Sequence, residues 1–507
     1  MDAPIHQTVD AHRFVHGPAI PEQLRRRAAT DPDQVYAVEG EKIITLAELD
    51  LLVDNITELL ETLEVDPGSR VGVGLSTTVQ HAATILALFR RGALWVPVNP
   101  QLKGLPLAHQ MDDAQVTHMV LEADSDFARR VAETASIARD LDLGGGAVLW
   151  QLPREDPPEP LPDAELLMYT SGTTGPPKGV KVSATMLRAC VLGTMHVTEV
   201  RRGDVLYLWE PLFHIGGAQT MLLPLYAEVH LVFAPRFSAS RFWSDVTHHG
   251  VTHVHYLGGV LQILLQLPVS AEEQHHGVRV AWGAGATPAL WQAAQERFGF
   301  ALHECYGSTE TSSIVTVNKN VSAGGVGSPL PWFEVDLLSS SVNGGGQGEV
   351  TVRSHIPGLI TSGYLNRPEA TSRSSTADGW FVTGDLGHLD DRGQLHFDGR
   401  TSDAVRIRGE NVSTWQVENV FSQHPAVDRC AVIGVEAEIG EQEMLLFLEP
   451  ADAEAFDPRE VLHWGAQHLA RFQLPRYVRV IDQMPLTPSQ RVSKHQLPRG
   501  LEDALEP

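Results

Sequence analysis

Short apolar runs alternate with longer amphipathic segments over the first third of the chain. Val71-Gly72-Val73-Gly74-Leu75 and Leu94-Trp95-Val96-Pro97-Val98 have the length and apolar density of buried strands. Val79–Arg91 between them, rich in alanine and leucine, predicts a helix. Upstream, a helical segment from Leu24 stops at Asp31-Pro32, passes through a hairpin-like Val35–Ile44 and resumes as the amphipathic Leu46–Leu63. Strands alternating with helices in this way predict an α/β fold around a parallel, doubly wound sheet. Gly144-Gly145-Gly146 and the proline- and acid-rich Leu152–Asp163 are read as a linker leading to the apolar run Leu166-Leu167-Met168-Tyr169. Further strands are expected at Val205–Trp209 and from Val280 into a Gly/Ala turn ending at Thr287. Residues 404–507 read as β–α–β–β with a further helix, a separate α+β piece. At 507 residues the chain is too long for one hydrophobic core, so at least two domains are expected.

Composition refines this picture only a little. With 43% hydrophobic and 20% charged residues the chain is ordinary for a globular protein. The formal net charge of −25 argues against nucleic acid or an anionic membrane as a general partner and says little about a local anion site. No signal-peptide pattern and no apolar run long enough to span a membrane is present, and Cys190, Cys305 and Cys430 lack metal-ligand spacing. A cytoplasmic protein with reduced cysteines is the expectation. The 23 histidines include the pairs His248-His249 and His275-His276, but adjacent side chains point apart and no His-x-x-x-His with a nearby carboxylate stands out.

The strongest chemical signal follows the strand at Leu166. Thr170-Ser171-Gly172-Thr173-Thr174-Gly175, two prolines and Lys178-Gly179 bring glycines, hydroxyls and a cation together. Glycine allows the backbone amides to turn into one concavity, and hydroxyl and ammonium donors suit phosphate oxygens. The spacing is not that of a Walker A loop. A Ser/Thr/Gly cluster alone reads as a linker, but the strand before it, the double proline and Lys178 argue for an anion site.

Tyr169–Gly179 resembles the phosphate-loop signature of the adenylate-forming superfamily, which includes acyl-CoA synthetases, luciferases and peptide-synthetase adenylation domains. Other motifs of that superfamily follow in order over nearly the whole chain. Pro211-Leu212-Phe213-His214-Ile215-Gly216-Gly217 is similar to the segment that places a histidine over the acyl pocket, which makes His214 a gate for the acid. Gly285 and Ala286 stand where the family flanks adenine, with Trp282 lining the acyl pocket. His303-Glu304-Cys305-Tyr306-Gly307-Ser308-Thr309-Glu310 contains the Tyr-Gly-x-Thr-Glu pattern. The resemblance implies that Tyr306 stacks on adenine, with Cys305, Gly307 and Ser308 beside it. It also implies that Thr309 reaches the α-phosphate and that Glu310 holds Mg²⁺. Phe381-Val382-Thr383-Gly384-Asp385 assigns Asp385 to the ribose diol, and Asp398-Gly399-Arg400 assigns Arg400 to ribose or phosphate. Asp403 would be the hinge between a 1–402 AMP-binding domain and a small mobile 403–507 domain, and Val405–Ser413, with Gly409, would form a pantetheine tunnel. The fold implied is a large α/β domain of doubly wound subdomains plus a distorted barrel, with a mobile α+β domain after it. Three segments look nearest to the crotonobetaine/carnitine-CoA-ligase-like branch.

One motif departs. The family's Pro-x-Thr-x-x-Gly-Lys carries a lysine that bridges the substrate carboxylate and α-phosphate. Here the stretch reads Pro485-Leu486-Thr487-Pro488-Ser489-Gln490-Arg491-Val492-Ser493-Lys494. Arg491 keeps the charge on a longer, planar group, and Lys494 is the alternative three residues on. The implied activity is an ATP- and Mg²⁺-dependent, AMP-forming acid–CoA ligase. The altered motif leaves open another acceptor (a carrier protein or an amine), another oxyanion such as nitrite in an aryl-amine diazotase, or a non-catalytic nucleotide-binding relative.

Overall fold

The computed structural model describes residues 3–154, 156–170, 177–286, 288–319, 323–339, 347–400, 405–407, 410–412, 414–436, 442–452, 456–485, 492 and 494–506. The chain divides into two compact units. The first comprises Met1–Pro100, Asp113–Met168 and Gly179–Gly399; the second comprises Gln101–Asp112, Tyr169–Lys178 and Arg400–Pro507.

The helix expected at Val79–Arg91 forms over those residues, capped by the Thr78 hydroxyl and closed by Gly92 in the left-handed region. Leu46–Thr62 starts with a capping box in which Thr45 and Glu48 satisfy each other's backbone amides. The three glycines read as a linker instead close a hairpin between Arg139–Gly144 and Ala147–Gln151. All three have positive φ, so the tight turn, not flexibility, explains them.

Within the first unit a nine-stranded sheet carries most of the candidate residues. Its order is Ser328–Pro329, Thr316–Lys319, Ala301–Tyr306, Val280–Ala284, His253–Leu257, Val205–Leu208, His230–Phe233, Val35–Glu39 and Lys42–Thr45. The six strands from Ala301–Tyr306 to Val35–Glu39 are parallel, and antiparallel strands close both edges. Both faces are buried, as a parallel sheet requires. Leu206, Leu208, Val280 and Trp282 face a core shared with the helices Val79–Arg91 and Ala184–Thr198. Tyr207, Val254, Tyr256 and Ala281 face a second core with Phe242, Trp243 and Trp291.

A seven-stranded sheet has parallel strands His118–Glu122, Arg70–Gly74, Leu94–Pro97 and Leu166–Thr170 at its centre. In the region expected as a barrel, Phe333–Ser339, Gln347–Ser354, Phe381–Leu389 and Leu395–Arg400 form a four-stranded sheet. The second unit contains the hairpin Val405–Ile407/Glu410–Val412, the helices Thr414–Phe421 and Pro458–His468, and a sheet of Val427–Glu436, Gln442–Pro450 and Tyr477–Val480. The opening hairpin and the closing strand add to the pattern read from the sequence.

Candidate functional site

Tyr306 ends a central strand, and its hydroxyl donates to Asp385 Oδ2 at 2.8 Å. Asp385 reaches it because Thr383-Gly384-Asp385 forms a bulge in the Phe381–Leu389 strand. Glu349 pairs with Leu386 and Thr351 with Val382, leaving three residues opposite Val350. Gly384 supplies the positive φ of +78°. The Thr383 hydroxyl donates to the Val350 carbonyl at 2.7 Å and accepts from the Asp385 amide at 3.1 Å. Glu349 stands nearby; burial, and then the negative charge of Asp385, push its carboxyl above the usual range. The corner therefore offers an aromatic ring and carboxylate acceptors, which suits a ligand with a flat base and hydroxyl donors.

The Gly285–Ala286 turn is held from below by a residue that the sequence reading passed over. Glu304, 3% exposed, accepts hydrogen bonds from the amides of Gly285 and Ala286 and from the Tyr256 hydroxyl. Gly285 has φ +89°, and a Cβ on Gly283 or Gly258 would collide with the backbone of Tyr256 or Gly285. The turn lies flush against its neighbour strand for that reason. Cys305 is held by its Sγ, 3.2 Å from the Gly283 carbonyl, and burial with the nearby Glu304 and Glu210 pushes its thiol far up. Cys305 is thus an inert wall, not a nucleophile. The detectable signal for Glu304 was a carboxylate inside an otherwise strand-like run.

Past Tyr306 the chain turns so tightly that a Cβ on Gly307 would lie 2.2 Å from the Ser313 carbonyl oxygen. Ser308 and Thr311 bind each other across a 3-10 turn, Thr309–Thr311. Thr309 is buried with its hydroxyl against Met168 Sδ at 3.7 Å. Glu310 is half-buried, and its Oε1 accepts from the Tyr364 hydroxyl at 3.1 Å. Burial and Glu310 together push the Tyr364 phenol far above its ordinary range, so it stays a donor. Among the described residues no group of three or more His, Cys, Asp or Glu converges as a metal cage. A single oriented carboxylate is the donor set Mg²⁺ takes when phosphates and waters fill its other positions, so Glu310 fits that ion.

Thr170 ends the Leu166–Thr170 strand and Lys178 begins Lys178–Val182, both half-buried. Ser171, Gly172, Thr173, Thr174 and Gly175 lie outside the described residues, as do Asp403, Arg408, Gly409 and Arg491. Arg400 is described only as the end of the Leu395–Arg400 strand. Lys494 is well placed in the second unit. Its Nζ lies 2.8 Å from Thr414 Oγ1 and 2.9 Å from Glu418 Oε1, tying the C-terminal segment to the Thr414–Phe421 helix.

His214 is the N-cap of the Ile215–Leu222 helix and makes no side-chain capping bond. Gly216 and Gly217 after it are steric requirements: a Cβ on either would strike Glu210 or Pro211. Trp282, 2% exposed, packs its ring 4.4 Å from that of His255.

The pattern of the AMP-binding enzyme family matches residues 24–365, and that of the AMP-binding enzyme C-terminal domain matches residues 416–491. A 2-succinylbenzoate–CoA ligase of Bacillus cereus is 29% identical over 496 residues, covering 96% of this chain and 99% of its own. The o-succinylbenzoate CoA synthetase of Bacillus subtilis, solved with a product analogue, superposes with a TM-score of 0.82 at 25% identity over 95% of this chain and 98% of that one. The same enzyme has been solved with ATP and magnesium ion. The amide bond synthetase McbA of Marinactinospora thermotolerans gives 0.80 at 25% identity, covering 94% and 99%. With its Tyr306–Asp385 corner, its held Gly285–Ala286 turn and both family patterns in sequence order, the chain belongs to the AMP-binding enzyme family.

Proposed function

We propose that this enzyme is an ATP- and Mg²⁺-dependent ligase that activates a small carboxylic acid as its acyl-adenylate, releases pyrophosphate and passes the acyl group to CoA. The observation that carries this reading is the coupling of Tyr306 to Asp385 across the bulge. It supports a role for the ring under adenine and for the carboxylate on the ribose diol, with Gly285 and Ala286 along the base. The acid's carboxylate must approach an anionic triphosphate, so positive charge has to meet the charge that builds at the α-phosphorus. We assign that task to Lys178, Thr309, the Thr170–Gly175 stretch and Arg491. Mg²⁺, when bound by Glu310, supplies charge neutralisation at the phosphates.

Between the two cations of the last motif, Arg491 is the better choice. Lys494 is already engaged by Glu418 and Thr414, and moving it would uncover a carboxylate that also accepts the Val432 amide. We place the hinge at Asp403, between residues 1–402 and 403–507. Rotation there would exchange Arg491 for the Gly409 segment and admit the thiol. Free cysteines and the absence of a helix able to cross a membrane, among the described residues, support a cytoplasmic setting.

Arginine in place of lysine favours one second reading, in which an amine is the acceptor or nitrite the activated oxyanion, and the similarity to an amide bond synthetase supports the amine. Product mass analysis after incubation with ATP and a panel of acids, with and without CoA, and in parallel with an added amine or with nitrite plus an aryl amine, separates the two. A CoA-dependent thioester is expected; an amide or diazo product that forms equally without CoA would replace the primary reading by the second.

A further inference from the structure

The parallel sheet changes direction at Val205–Leu208. The chain passes from this strand to His230–Phe233 on one side, then crosses back to His253–Leu257 on the other. The crevice at the carboxyl end of such a strand is where open α/β sheets bind small ligands. Two residues beyond that end stands Glu210, only 9% exposed. Its Oε2 makes no aligned hydrogen bond among the described residues, although His255 Nδ1 lies 3.0 Å away. The side chains of both are 12% exposed. His255 is fixed in turn: its carbonyl accepts from Trp209 Nε1 at 2.8 Å, and its ring packs on Trp282. Glu210 lies against the first turn of the Ile215–Leu222 helix, where only glycine at 216 leaves room for the carboxylate.

A buried carboxylate with unused acceptor capacity is costly unless something brings it a donor. An ionised carboxylate accepts only, so its complement is a hydroxyl or amine N–H, and a second carboxylate on a ligand would be repelled. We propose that Glu210, supported by His255, is the specificity-determining element of the substrate crevice and selects a flat acid bearing a hydroxyl or amino substituent. The Trp282 and His255 rings, 4.4 Å apart and tilted by 59°, supply the aromatic wall for a flat acid. The inference rests on the ligase reading for its acid and goes beyond it by naming the substituent. It separates this chain's preference from the dicarboxylic acid in the names of its relatives.

The test is calorimetric binding of 3- and 4-aminobenzoate, 3- and 4-hydroxybenzoate, benzoate and phthalate to the whole protein, repeated for Glu210→Gln and His255→Phe. The wild type should bind at least one amino or hydroxy acid about ten- to hundredfold more tightly than benzoate, the size of one charge-assisted hydrogen bond. Phthalate should bind more weakly than benzoate. Either substitution should erase the preference while ATP affinity, measured alongside, reports that the fold is intact. A wild type that prefers benzoate or phthalate, or binds none of the six, overturns the proposal without reference to any variant, and so does a preference that survives both substitutions. ATP–pyrophosphate exchange on the same panel keeps the two readings apart. A binding preference without exchange defeats the ligase reading and leaves the Glu210 assignment standing; exchange without the preference does the reverse.

Discussion

A few residues hold the site by making one another's geometry compulsory. Tyr306 fixes Asp385, Tyr364 orients Glu310, and Glu304 gathers Tyr256 with the Gly285 and Ala286 amides. Such partners matter because a ligand's hydroxyl gains little from a carboxylate that must first be ordered. Asp385→Ala should therefore weaken ATP binding by about 1.5–3 kcal/mol, the cost of losing charge-assisted hydrogen bonds. Titration calorimetry checks this, and an affinity unchanged within about twofold would remove Asp385 from the nucleotide site.

At the scale of elements, backbone devices rather than side chains aim the functional groups. The bulge at Thr383–Asp385 turns the carboxylate towards Tyr306, and it depends on Gly384 at φ +78°. Gly384→Ala should cost about 1 kcal/mol in denaturant unfolding, and ATP affinity should fall with it because Asp385 is displaced. An affinity equal to wild type would mean that the bulge does not position the carboxylate. The sequence reveals the elements well where periodicity and caps agree, as at Val79–Arg91 and Leu46–Thr62. It reveals the motif residues because their order and spacing are specific. It hides Glu304, Glu210, His255 and Tyr364. Their roles arise from pairing across strands and loops distant in the chain, which no local pattern encodes. The Gly144–Gly146 turn was misread for a related reason. Composition alone does not separate glycines that permit a tight hairpin from glycines that permit flexibility.

At the scale of the whole molecule, several of the histidines are structural and make stability depend on pH. His81 is fully buried, with Nδ1 3.2 Å from the Ser76 carbonyl, and burial lowers its pKa from 6.5 to about 4. His196, His253 and His303 are lowered as well, with burial the largest cause in each. Below 6.5 the unfolded chain takes up protons that the folded chain refuses. The stability from a neutral buried histidine is thus present above that value and lost as pH falls towards the folded pKa. His81 alone should contribute a loss of about 2 kcal/mol between pH 7 and pH 5. Denaturant unfolding at the two values tests this, and His81→Leu should flatten the dependence by that amount; an unchanged slope would place the proton uptake elsewhere. The central claim concerns chemistry that spans the whole chain: adenylation driven by a cation in the last motif. The most direct measurement is acid-dependent exchange of labelled pyrophosphate into ATP by the wild type, Arg491→Ala and Lys494→Ala. Exchange by the wild type, a fall of about 10²–10³ in Arg491→Ala and near-normal exchange in Lys494→Ala are predicted. No acid-dependent exchange by the wild type, or a collapse in Lys494→Ala with Arg491→Ala unaffected, would contradict the account.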